Sequence, residues 1–82
     1  MENKNVAVIS IILKNNDYAE DINTILHNYR EYIIGRMGIP YHKKDVNIIC
    51  VALDAPQDVI SALSGKIGNV SETSVKASVI KL

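Results

Sequence analysis

Two runs of eight residues constrain this chain more than anything else in it: VAVISIIL (Val6–Leu13) and VNIICVAL (Val46–Leu53). Both are rich in β-branched residues and apolar at odd and even positions alike. That is the pattern of a strand held inside a sheet rather than at its edge. A chain of 82 residues buries only about 60–65% of the surface its unfolded form exposes, so the core around these strands is thin. With no Trp, no Phe and only four Tyr, that core is built from Ile, Val, Leu and Ala, which favours a sheet covered by helices.

The segments between the runs supply the helices. KNND breaks the first strand, and Asp17 is expected to cap a helix with Glu20 reaching back from its third position. Tyr18, Ala19, Ile22, Ile25, Leu26 and Tyr29 then recur at helical spacing on one stripe, which predicts a helix from about Tyr18 to Arg30. EYIIGRMG reads as an edge strand weakened by Gly35 and Gly38, and it leads into a turn over GIPYHKKD marked by Pro40. After the second apolar run, Asp54 and Pro56 are expected to open a second helix. Val59, Ile60, Leu63 and Ile67 form its buried stripe, and Gly68-Asn69 its C-cap. SVKASVIKL alternates as a last strand.

The order β-α-β-β-α-β, with no linker and no low-complexity segment, describes a single domain over residues 1–82. Two right-handed split crossovers in that order give an α+β ferredoxin-like sandwich: a four-stranded antiparallel sheet with both helices on one face.

Charge and cysteine usage exclude several roles. The formal charge is zero, and no Lys/Arg cluster exceeds Lys43-Lys44, so direct nucleic-acid binding is not expected. Cys50 is the sole cysteine and forms no internal disulfide. The opening MENKNVAVIS lacks the apolar core of a signal peptide, and no apolar run approaches a membrane span, so the expected location is the cytoplasm.

ILHNYREYIIGRMGIPY, the strand VNIICVAL and ISALSGKIGNVSETSVKASVIKL resemble the iron-only hydrogenase system regulators, small stand-alone bacterial proteins. The likeness runs from about Val6 to Lys81 and is sharpest in LHNYREYIIGRMG and ALSGKIG. More distantly, the chain is similar to the regulatory domain of the nickel-responsive repressor and to ACT-type ligand-sensing domains. The nickel resemblance implies four ligands drawn from two subunits, and His27 matches the one at the end of the first helix. The other matching positions fall near Gly38, Pro40 and Val46, whose side chains bind no metal. His42 lies outside that set, and Cys50 lies further into its strand, where a small buried apolar residue is expected. No metal and no cofactor is therefore expected. ACT-type domains bind amino acids beside a glycine-containing loop after the first strand; the matching KNNDYAED has no glycine, and its Asn15-Asn16-Asp17 turn reads as a cap.

Other candidates fare no better as chemistry. Gly65-Lys66 echoes the end of a phosphate loop, but Ile67 follows where Ser or Thr is required, and the pair sits late in a helix. Gly65 is expected instead to let that helix approach a neighbour closely, with Lys66 solvated. Ser61, Ser64, Ser71, Ser74 and Ser78 read as surface or capping residues, and Glu20, Asp21 and Asp58 sit on faces expected to be wet. No catalytic residue is assigned, and an enzyme is not expected. Arg36, His42, Lys43 and Lys44 form a modest basic group around the GIPYHKK turn, which reads as a solvated turn or as a place for an anion.

Two functional readings stand side by side. One is a regulatory, ligand-sensing module without a DNA-reading head of its own, acting on transcription through a partner. The other is a non-sensing assembly or interaction factor for hydrogenase maturation. Both are compatible with self-association. Helices cover one sheet face only, yet Val6, Val8, Ser10 and Ile12 on the first strand are nearly as apolar as Ala7, Ile9, Ile11 and Leu13. The third strand repeats this, with Val46, Ile48, Cys50 and Ala52 against Asn47, Ile49, Val51 and Leu53. Whichever set faces the helices, an apolar patch is left, and a homo-oligomer, dimer or tetramer, is expected to bury it.

Overall fold

The computed structural model describes Asn3 and residues 5–82. Four strands, β1 (Asn5–Leu13), β2 (Ile33–Tyr41), β3 (Val46–Asp54) and β4 (Thr73–Lys81), form one sheet in the order β2-β3-β1-β4. Every neighbouring pair is antiparallel. The two apolar runs occupy its two central positions, as their two-sided hydrophobicity requires. Helices α1 (Ala19–Asn28) and α2 (Gln57–Gly68) lie together on one face, completing the ferredoxin-like sandwich.

The register decides which half of each strand is core. Ile9 faces Val51, Ile11 faces Ile49 and Ala7 faces Leu53. All six are buried, together with Ile22 and Leu26 of α1 and Ile60, Leu63 and Ile67 of α2. Each fully buried Ile or Leu contributes about 1.5–3 kcal/mol over an exposed one. The predicted helical stripes are thus the ones that pack, with Tyr18, Ala19, Ile25, Tyr29 and Val59 half-buried at their margins.

Element ends differ from expectation where tertiary pairing outweighs local signals. β2 continues through Gly38, Ile39 and Pro40 to Tyr41, across most of the predicted turn. A strand with one free side tolerates a proline, and Pro40 sits opposite Asn47 at that edge. The reversal is confined to a 3-10 turn over His42–Lys44, closed by Asp45 in the left-handed conformation (φ 53°). A bulge at Ile34, next to Gly35, shifts the β2–β3 register.

The caps also differ. Asp17 does not cap α1; Asn15 caps a preceding 3-10 turn over Asn16–Tyr18, its Oδ1 accepting the Asp17 N–H at 2.9 Å. Asp54 ends β3 rather than opening α2, and Pro56 is the N-cap residue (ψ 157°), its carbonyl receiving the Val59 and Ile60 N–H groups. At the other end of α2, Gly68 is helical and Asn69 closes the turn with a right-handed φ of −82°, so no left-handed glycine cap is used.

Gly65 does not mediate a close approach: a Cβ built there meets nothing within 4 Å. The glycine with a neighbour is Gly68, whose Cβ would stand 3.2 Å from Cγ1 of Val75 on β4. The close approach expected at Gly65 is not made, because that side of α2 faces open space.

Candidate functional site: an apolar sheet face and a polar cleft

The face of the sheet turned away from the helices carries the other half of every strand. Reading across it, Ile39 faces Ile48, which faces Ile12; Met37 faces Cys50, which faces Ser10; and Ala52 faces Val8. Tyr41 and Val46 pair at one end of this face, and Val6 faces Ile80 near the other. Val8, Met37, Ile39 and Ile80 are 45%, 54%, 43% and 59% exposed, whereas Ile9 and Val51 on the covered face are fully buried. The patch therefore extends beyond the two central strands onto the edge strand β2. On β4 it gives way to Ser74, Lys76 and Ser78, so one flank is polar.

The second feature is a cleft of about 380 Å³ at the end of the sheet where β1 and β2 finish and β3 and β4 begin. Three loops far apart in sequence build it. Lys14, Asn15 and Asn16 come from the β1–α1 connection; Tyr41, His42 and Asp45 come from the β2–β3 hairpin, with Asn47 just inside β3; Glu72 comes from the α2–β4 connection. Asn47 Nδ2 donates to Asn16 Oδ1, and the Lys14 N–H donates to the Glu72 carbonyl at 2.9 Å, so the three loops are tied to one another. Glu72 and Asp45, at φ 56° and 53°, are the two non-glycine residues with positive φ among those described, and both line this cleft. For an L-residue that conformation costs about 1–2 kcal/mol, less for Asp, whose side chain bonds locally.

The residues singled out by sequence end up in different places. His27 is exposed near the end of α1, in the helix layer and thus on the opposite side of the sheet from the apolar face; its carbonyl accepts a bond from Arg30 at 3.0 Å. His42 lies in the hairpin turn at the cleft. Cys50 is half-buried in the middle of the open face, not in the core as expected. Among the described residues no three His, Cys, Asp or Glu side chains gather around one point.

The basic group does not form as a unit. Arg36 sits mid-strand opposite Val51 and donates to Asn23 Oδ1 of α1 at 2.9 Å, whereas His42, Lys43 and Lys44 make the turn beyond the end of that strand. Lys66 is exposed but not simply solvated, because its Nζ stands 5.1 Å from the Tyr29 ring centroid, a cation–π contact joining the helices. Sequence reasoning missed Lys14, Asn47 and Glu72 as neighbours, and no local pattern marks them.

Fold and open face together define a βαββαβ sandwich of ferredoxin-like type. The chain belongs to the TM1266-like family, described as iron-only hydrogenase system regulators, whose model matches residues 5–77. Among solved structures it is similar to the uncharacterized protein TM1266 from Thermotoga maritima (31% identity, TM-score 0.87, covering 98% of this chain and 100% of that one). A formyltetrahydrofolate deformylase from Pseudomonas putida KT2440 shares the fold alone (13% identity, TM-score 0.63), over 89% of this chain and 28% of the deformylase. No curated protein matches. No helix among the described residues is long and apolar enough to cross a membrane.

Proposed function

We propose that this chain is a non-enzymatic regulatory module of an iron-only hydrogenase system that works as a homo-oligomer assembled through its open sheet face. Family membership supports the system, and the open face carries the mode of action. Four nine-residue strands span a face of about 19 by 30 Å at ordinary spacing and rise. Two copies stacked over the whole of it would remove roughly 1,100 Å² from water, above the ~1,000 Å² a specific contact needs and just below the usual range of stable interfaces. Met37, Ile39, Ile48, Cys50 and Val8 form its apolar centre, and Ser74, Lys76 and Ser78 its polar rim. The described residues are occupied by the sheet, its helices and their short connections. An effect on transcription would therefore pass through a partner that supplies the DNA contact, and such a partner is part of this proposal.

Deleting the gene in its host separates regulation from assembly. A regulator changes hydrogenase transcript levels. Unchanged transcripts with inactive, immature hydrogenase would overturn regulation in favour of an assembly factor. Light scattering of the purified chain tests the oligomer directly: a mass of a single 9.1 kDa chain would remove the interface.

A further inference from the structure

We propose that the groove between the last turn of α1 and the start of β2 binds a small phosphate monoester. The proposal rests on the regulatory reading above for its purpose, since it names the signal such a module would sense. Its chemistry rests on the groove alone. The groove holds about 320 Å³, near the lower end of small-ligand sites. It lies at the opposite end of α1 from the loop that follows β1.

The register of the edge strand creates it. On the helix side of β2, Ile33 stands opposite Leu53 and Arg36 opposite Val51, and beyond them come Gly38 and Pro40. After Ile33 that side of the strand has no large aliphatic side chain to draw α1 down onto it, and the rest of β2 is exposed. Leu26, buried, and Ile33, half-buried, form an apolar floor. Asn23, His27, Arg30 and Arg36 stand around it. All but Asn23 come from the single stretch Leu26–Arg36, which the short connection after α1 folds back along the helix.

Every polar side chain of this lining can donate a hydrogen bond, and none is a carboxylate. Arg36 Nη2 donates to Asn23 Oδ1 at 2.9 Å, and Arg30 Nη1 donates to the His27 carbonyl at 3.0 Å. Both acceptors are neutral. Each guanidinium is therefore held in place while keeping its charge and most of its N–H donors. Asn23, its oxygen engaged by Arg36, has its amide N–H groups left to offer, and His27 adds a ring N–H. The acidic residues of α1, Glu20 and Asp21, belong to its first turn at the far end of the helix, and Glu31 lies outside the lining. A chain of zero formal charge thus gathers two guanidinium groups in one groove with no acid in its wall.

The occupant must accept hydrogen bonds and bring negative charge. A phosphate monoester does both, with three strong acceptor oxygens and a charge of roughly −1.5 to −2 near neutral pH. A carboxylate brings two oxygens and a single charge. Arginine forks match phosphate oxygens in pairs, and the apolar floor takes the carbon skeleton that the ester carries.

Titration of isotope-labelled protein with glycerol 3-phosphate and with AMP, followed by amide NMR, tests the site. Saturable shifts are expected at Asn23, His27, Arg30 and Arg36 for at least one ester. Inorganic phosphate, which lacks the carbon skeleton, and succinate, which lacks the phosphate, should each bind about tenfold more weakly or worse. Arg30→Gln and Arg36→Gln should each weaken ester binding by about tenfold or more with an unchanged circular dichroism spectrum. Arg36→Lys keeps the charge but loses the fork, so it should stay folded and still bind more weakly than the unmodified chain. Absence of saturable shifts with both esters, equal shifts with sodium chloride, or full affinity in all three variants would each overturn the site. Equal binding of inorganic phosphate or of succinate would overturn the ester as its ligand. Light scattering on the same samples keeps the two readings apart. An oligomer indifferent to both esters refutes the site and leaves the assembly standing; a monomer that binds one of them does the reverse.

Discussion

The two faces of the central strands β1 and β3 are made of nearly the same residues and have opposite fates. On the covered face Ile9, Ile11, Val51 and Leu53 are sealed by Ile22, Leu26, Ile60, Leu63 and Ile67. On the open face Val8, Met37, Ile39 and Ile80 meet solvent in the single chain. On β1 and β3 the two sets differ in chemistry only at Ser10 and Cys50, facing each other at the centre of the open side, and at Asn47, at the end of the covered side. Apolar character in a strand thus reports that something covers it, but not whether the cover is a helix of the same chain or a second molecule.

Substitutions that charge one face at a time break this comparison most sharply. Ile9→Lys places an ammonium among fully buried aliphatic side chains with no partner, at a cost of several kcal/mol, on the order of 4 or more. A domain of 82 residues holds about 4–12 kcal/mol in total, so this variant is expected to be unfolded by circular dichroism. The paired change Val8→Lys with Ile48→Lys charges the other face. It should leave the circular dichroism spectrum folded while the mass by light scattering falls to that of one 9.1 kDa chain. If instead this variant unfolds as Ile9→Lys does, the open face is part of the monomer's core and the distinction fails.

A smaller effect concerns the helical cover itself. Gly65→Ala fills open space on α2 and should stabilise by about 0.5–1 kcal/mol, the ordinary helix preference of Ala over Gly. Gly68→Ala brings a methyl to 3.2 Å from Val75 Cγ1, so its gain should be smaller or cancelled. Urea midpoints of the two variants rank them, and a larger gain at Gly68 would show that Val75 gives way without cost.

Much of this architecture is legible in one dimension, because it depends on periodicity within single elements. The central strands, the stripes Ile22–Leu26 and Ile60–Leu63–Ile67, and the βαββαβ order all follow from local spacing. The turn lies later than local signals predict, since Gly38 and Pro40 carry turn chemistry that an edge strand overrides by pairing with Ile49 and Asn47. Asp17 has cap chemistry, but the chain places that cap at Asn15; α2 does end at the expected Gly68-Asn69 pair, with Asn69 as the cap and Gly68 still helical.

The site was less legible than the fold. Lys14, Asn47 and Glu72 are separated by dozens of residues and meet only because three loops finish at the same end of the sheet. Arg36 and His42, close in sequence, are drawn apart because β2 extends as far as Tyr41 and leaves Arg36 against α1. By itself the sequence determined which segments are strands and helices and that the two central strands are apolar on both faces, since side-chain period and composition are local properties. The tertiary structure alone decided which face the helices took and which distant polar groups share a cleft. Those outcomes depend on register, crossover and loop closure, which are set by contacts between residues that no local pattern links.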